Sequence, residues 1–293
     1  MKTISTYFIS LRPHQWLKNF LIFVPFLAAH NINTEIIKLA VIIFFSFSLM
    51  ASSVYIFNDI IDLKADRAHP LKKYRVFASG KISLSNGKIF AVLLFLLSII
   101  IAIKVNNLLI IILLLYFLIS NFYSMVLKKI IILDICTLAI LYTSRIITGG
   151  IVLEIDLSVW LLAFSLFFFF SLAAIKRQAE LIDLIKRKKL KPANRGYKTT
   201  DLPVISMSAL GAGYISVLIM ALYVNSPEIS QLYSQPQALW GICMVLLFWL
   251  TKISLITQRG EMHYDPIIYA VKDITSQICF ILILFFISIG ILF

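Results

Sequence analysis

"FNDIIDLKADR", residues 57–67, is the stretch on which the reading of this chain turns. It closes a long apolar run, and it places three aspartates and an asparagine at that edge. On a helix of 3.6 residues per turn, Asn58, Asp62 and Asp66 recur every fourth position and drift by only about 40° per step. Asp59 lies one turn before Asp62, beside that line. The four side chains form an oxygen-rich strip whose like charges repel and resist desolvation. A divalent cation relieves both costs. Oxygen-only ligands suit Mg2+, which binds through one or two carboxylates plus substrate phosphates. Asn58, Asp59, Asp62 and Asp66 are therefore the expected metal ligands, the three aspartates also being the expected catalytic residues. The competing reading is a solvated strip paired with Lys64, Arg67, Lys72 and Lys73. The following "HPLKKYRVFASGKIS", residues 69–83, is rich in phosphate-binding side chains such as Lys73 and Arg75, and it favours the metal.

The surroundings are membrane-like. Of 293 residues, 60% are hydrophobic and 14% charged, with a mean hydropathy of +0.94. Soluble domains are nearer about 45–50% apolar and about 25% charged. A hydrocarbon core about 30 Å thick takes roughly 20 helical residues. Apolar runs of that length predict nine spans: 17–33, 39–57, 88–105, 107–126, 131–150, 158–176, 203–224, 238–257 and 272–292. The chain reads as one all-α transmembrane catalytic domain over residues 1–293, without a cleavable leader. Cys136, Cys243 and Cys279 lie in apolar runs without metal-ligand spacing and imply neither disulfides nor zinc.

Charge sets the orientation. Of the 27 Lys and Arg residues, all but Lys38, Lys104 and Arg145 fall on one side of the nine-span arrangement. Basic residues favour the cytoplasm, so the N-terminus and the long loops after spans 2 and 6 are expected there, with the C-terminus outside. Topology accounts for most of the net charge of +13. No nucleic acid is required. Two long loops in a compact bundle are more often functional than idle.

Other polar residues sit in or beside apolar runs. "AAIKRQAELIDL", residues 173–184, places Lys176 and Glu180 four apart and Glu180 and Asp183 three apart, so cations and carboxylates share one helix face. The same segment also reads as a solvated helix end. Lys18 in "QWLKN" snorkels or contributes to a site. Arg145 lies within span 5, where an Arg costs at least about 2.5–3.5 kcal/mol on insertion scales. It requires a polar cavity or a carboxylate, and Asp134 on the same span is the candidate. Asp134 otherwise caps span 5. Tyr123 and Lys128 end span 4 as phosphate contacts or interfacial anchors. His14, His30, His69 and His263 form no ligand set. Glu261 and Asp265 in "RGEMHYDP" read as a capped turn before Pro266.

"NDIIDLKADR" resembles the NDxxDxxxD signature of the UbiA superfamily of intramembrane prenyltransferases. Arg75-Val76-Phe77-Ala78-Ser79-Gly80 resembles its R-P-x-x-S-G segment, with valine where proline is usual. The resemblance covers essentially the whole chain and implies a bundle of nine helices with cytoplasmic caps after helices 2 and 6. "LRPHQWLKN", "NFYSMVLKKIIILDI", "SRIITGG", "KRQAEL" and "RGEMHYDPIIYAVKD" together resemble the branch typified by decaprenyl-phosphate phosphoribosyltransferase. That branch implies transfer of 5-phosphoribose from phosphoribosyl pyrophosphate to a polyprenyl phosphate, with Mg2+, at the cytoplasmic membrane. It implies substrate contacts from Lys18, Asn58, Lys73, Arg75, Tyr123, Lys128, Asp134, Arg145, Lys176, Arg177, Glu180 and Asp183. A prenyl transfer to an aromatic acceptor is the second reading, and "KRQAEL" in place of a second acidic motif speaks against it. An ion-coupled transporter is the third. Transporters carry such acids near the bilayer centre, whereas this strip lies at an edge.

Overall fold

The structure is a computed structural model and describes residues 2–30, 33–68, 71–190, 195–262 and 265–292. His69 and His263 lie outside them. The described residues are helical and contain no strand. Two compact units are distinguished: Met1–Ile130 with Ser144–Asp156, and Ile131–Thr143 with Leu157–Phe293.

The first unit contains α1 (Lys2–Ser10), a 3-10 segment (Pro13–Phe23), α2 (Val24–Ala28), α3 (Thr34–Ile61), α4 (Leu63–Ala68), α5 (Leu84–Ile103) and α6 (Asn107–Met125). It also holds the second half of α7 (Leu133–Val152). The first predicted span is thus no single α-helix. It is a 3-10 stretch continued by one short α-turn, running antiparallel to α3. Trp16 Nε1 donates to Ser52 Oγ at 3.0 Å, and Asn19 Nδ2 donates to Ser48 Oγ at 2.9 Å. Farther along, Phe23 meets Phe44.

Small residues bring α3 and α5 together. Ser46 Oγ donates to the Ser98 carbonyl at 2.9 Å and Ser98 Oγ returns a bond to Ser46 at 2.7 Å. Ser53 Oγ donates to the Ala91 carbonyl at 2.8 Å. Between apolar helices such bonds are worth about 0.6 kcal/mol each, and the small side chains let the backbones approach.

The second unit contains the first half of α7, α8 (Val159–Lys186), α9 (Leu202–Val224), α10 (Pro227–Leu232), α11 (Trp240–Gln258), α12 (Pro266–Lys272) and α13 (Ile274–Leu292). Ser171 Oγ of α8 donates to the Ala209 carbonyl of α9 at 2.7 Å. Trp249 Nε1 of α11 donates to Ser276 Oγ of α13 at 2.9 Å. Among the described residues eight helices are long and apolar enough to cross a membrane.

Candidate active site

In the first unit the acidic strip straddles the end of α3. Asp62 caps that helix and α4 begins at the next residue. The helical bonding continues across the break, Asp62 N to Asn58 O at 2.9 Å and Asp66 N to Asp62 O at 2.8 Å. The four-residue spacing therefore survives, and the strip is one surface.

Each carboxylate holds a cation from outside the strip. Arg12 Nη2 donates to Asp59 Oδ1 at 2.5 Å. Arg75 Nη1 lies 3.2 Å from Asp59 Oδ1 and 2.8 Å from Asp66 Oδ2, bridging the two. Lys128 Nζ donates to both Asp62 oxygens, at 2.6 and 2.8 Å. Arg75 is delivered by its neighbours. Val76 and Phe77 are buried in a cluster with Ile56, Ile82, Ala91 and Leu94. Phe77 packs so closely over Gly87 that a Cβ there would meet its ring at 2.4 Å. Valine in place of the usual proline thus serves as an apolar anchor.

Among the described residues no group of three His, Cys, Asp or Glu side chains stands ready as a metal cage. Three cations balance three carboxylates instead. The donor set nevertheless fits Mg2+. Every candidate ligand atom is oxygen, and Asn58 Oδ1 is buried without a hydrogen-bond partner. Such an atom forfeits a bond's worth of solvation unless something is bound to it.

The second unit holds a separate ionic cluster. Asp134, in the first turn of α7, is fully buried. Arg177 Nη2 lies 2.8 Å from its carboxylate and Arg195 Nη1 3.2 Å from it, and Tyr197 donates its hydroxyl to the same group. Arg177 and Arg195 also hold Glu180, the latter at 3.2 Å through Nε. Tyr197 accepts a bond from Ile132 N at 2.8 Å. Ile132 is left-handed, φ 66°, a costly conformation for a β-branched residue. Burial, with Asp134 accepting its hydrogen, raises the Tyr197 phenol well above its ordinary range.

Several expectations are corrected. Lys176 pairs with Asp265 at 2.8 Å rather than with Glu180. Asp183 is half-exposed and pairs with Arg187 at 2.9 Å, outside the cluster. Arg145 does not take Asp134, which lies about 16 Å away at helical rise. Its guanidinium donates to Asn19 Oδ1 at 2.9 Å and Tyr116 Oη at 3.1 Å, and lies over the Phe47 and Tyr116 rings. Lys18 is buried, so it does not snorkel. Lys73 is exposed against the Tyr74 ring, and Tyr123 is half-buried at the end of α6. Arg12, Asn19, Tyr116, Arg195 and Tyr197 carry no local signal that would single them out from the sequence. Arg12 and Asn19 sit inside "LRPHQWLKN", while Arg195 is hidden in a run of nine basic residues.

Residues 19–263 match the UbiA prenyltransferase family. The chain belongs to that family. This UbiA chain is 34% identical over 275 residues to the uncharacterized protein y4nM of Sinorhizobium fredii, covering 93% of this chain and 53% of that one. It therefore spans about half of that relative's length. It is 32% identical to the nodulation protein NoeC of Azorhizobium caulinodans, over 94% of this chain and 89% of the other. It is 28% identical to decaprenyl-phosphate phosphoribosyltransferase of Mycolicibacterium smegmatis, over 93% and 88%. The fold superposes on a UbiA homolog from Archaeoglobus fulgidus bound to GPP and Mg2+, with TM-score 0.71, 15% identity, and coverage of 97% and 99%. The UbiA protein described here is an integral membrane protein.

Proposed function

We propose that this protein transfers 5-phosphoribose from phosphoribosyl pyrophosphate to a polyprenyl phosphate, at the cytoplasmic face of the membrane. One observation carries the reading. In the C-terminal third of α8, where prenyl transfer calls for a second acidic motif, the carboxylates are taken by arginine. Glu180 is bound to Arg177 and Arg195, and Asp183 to Arg187. That part of α8 offers cations. A phosphoribosyl donor carries a pyrophosphate at C1 and a phosphate at C5, and the acceptor brings a third phosphate group. Guanidinium forks suit such scattered oxyanions. The likeness to the Mycolicibacterium enzyme supports the same donor.

The reaction breaks the bond between C1 and the pyrophosphate oxygen, whose electron pair leaves with pyrophosphate, and forms a bond from C1 to an acceptor phosphate oxygen. Asn58, Asp59, Asp62 and Asp66 would hold Mg2+, which when bound neutralises charge developing on the leaving group. Arg75 and Lys128 hold the carboxylates aligned before the donor arrives. The acceptor oxygen is already anionic, so it needs positioning rather than deprotonation. Lys18, Lys176 and Arg177 are assigned to phosphate contacts. Asp134 and Glu180 orient the arginines, and Lys73 and Tyr123 stand at the margin.

The test is turnover by purified protein with Mg2+, labelled phosphoribosyl pyrophosphate and a polyprenyl phosphate. Label passing into the organic phase, and lost on chelation, supports the proposal. No transfer, but prenylation of an added aromatic acid from a prenyl diphosphate, establishes the second reading instead.

A further inference from the structure

Arg12 is placed with unusual care for a residue at a helix end. It joins α1 to the 3-10 segment in a left-handed conformation, φ 54° and ψ 58°, immediately before Pro13. A non-glycine residue there costs of the order of 1–3 kcal/mol, and glycine would make the same turn without that cost. The side chain accounts for arginine. It crosses to α3 and bonds Asp59 at 2.5 Å, passing over the Tyr55 ring with 5.7 Å to the centroid. Its pivot is fixed, because Ser52 Oγ of α3 donates to the preceding carbonyl, Leu11 O, at 2.9 Å.

The charge balance then singles it out. Asp62 has Lys128, and Asp66 has Arg75, which also reaches Asp59. Asp59 alone carries two guanidinium groups. Removing Arg12 leaves every carboxylate of the strip with a cation. Arg75 is anchored by the burial of Val76 and Phe77 beside it and bridges two carboxylates, whereas Arg12 bonds one, Asp59. The surplus cation is also the one held by fewer carboxylates.

We propose that Arg12 is a displaceable counter-ion. It occupies Asp59 in the donor-free protein, yields that carboxylate to a divalent cation, and turns its fork onto the incoming pyrophosphate. This rests on reading the acidic strip as a metal–diphosphate site, but not on which group the diphosphate carries. It predicts opposite signs for two affinities. While Arg12 is on Asp59 it competes with the metal, and an occupied competitor weakens apparent affinity by the fraction of sites it blocks. Once turned, it contributes charge-assisted bonds to pyrophosphate.

The experiment measures Mn2+ alone by electron paramagnetic resonance, and inorganic pyrophosphate with saturating Mn2+ by calorimetry. It uses wild type, Arg12→Gln, Arg12→Lys and Lys64→Gln. Lys64 is exposed on α4 between Asp62 and Asp66, so its replacement removes an equal charge from the strip's own helix. Arg12→Gln is expected to bind Mn2+ about threefold or more tighter and pyrophosphate about tenfold or more weaker. Arg12→Lys keeps the metal affinity near wild type and loses part of the pyrophosphate affinity. That arm decides the matter if the glutamine variant does not fold. Changes of the same sign in both affinities, or a Lys64→Gln variant that reproduces both, overturn the proposal. Wild type binding neither probe overturns the metal–diphosphate reading beneath it, and the turnover assay above reports on the donor independently.

Discussion

Asp62 and Lys128 show how much of the site a single residue carries. Lys128 is buried and its ammonium lies on both Asp62 oxygens. Removing one partner of such a pair leaves a buried charge uncompensated, at about 3–5 kcal/mol, although Asp62 is partly exposed and water recovers some of that. Asp62→Ala is therefore expected to lose activity by about 100-fold or more and to lower the unfolding temperature in detergent. Asp62→Asn keeps an acceptor for Lys128, so it should lose comparable activity with a smaller thermal shift. Equal activity in the two variants and wild type would remove Asp62 from the chemistry. The strip itself is readable in the sequence, because its spacing is local. Its partners are not. Arg12, Arg75 and Lys128 come from 47, 16 and 66 residues away, and no local periodicity encodes which cation folds back onto which carboxylate.

At the scale of elements, long apolar runs mark helices well, and eight of the nine expected spans correspond to helices among the described residues, seven of them with ends within a few residues of those expected. Two elements depart from expectation. α8 runs ten residues past its expected end at 176 to Lys186, since apolarity stops at Lys176 while Lys, Arg, Gln, Ala, Glu and Leu still favour helix. That extension puts Glu180 on a rigid element rather than in a loop. The first run is a 3-10 segment continued by a short α-turn, and it packs tightly against α7. A Cβ at Gly149 would stand 2.2 Å from the Ile22 carbonyl, so the glycine lets that segment's backbone press directly against the helix. Gly149→Ala should cost about 1–3 kcal/mol by overpacking, because the obstructing atom is backbone and cannot rotate away. Gly211 on α9 has open space on its Cβ side, with nothing within 4 Å of where a methyl would stand. Alanine there should be neutral or stabilising by up to about 1 kcal/mol. Detergent melting curves of the two variants check this pair, and a neutral Gly149→Ala would refute the close approach.

For the whole molecule the open question is how many times the chain crosses the bilayer, because that number fixes the sides of its termini. Among the described residues eight helices qualify by length and apolarity, and an even count would put both ends on one face. The segment between Pro13 and Ala28 argues for a ninth crossing. Its contacts descend α3 in order, Arg12 with Asp59, Trp16 with Ser52, Asn19 with Ser48 and Phe23 with Phe44. Eleven residues at 3-10 rise cover about 22 Å, as do the fifteen residues of α3 between Asp59 and Phe44 at α-helical rise. With α2 added, the segment reaches about 30 Å, the thickness of the hydrocarbon core. A 3-10 rise would thus let about 16 residues do what an α-helix needs about 20 to do. Nine crossings with the basic loops inside would put the N-terminus in the cytoplasm and the C-terminus outside. Alkaline phosphatase fused after the last residue should be active, and the same enzyme fused within the basic loop that follows α8 should be inactive. A silent C-terminal fusion, with a cytoplasmic reporter fluorescing at the same position, would reduce the count to eight and lay the 3-10 segment against α3 without crossing.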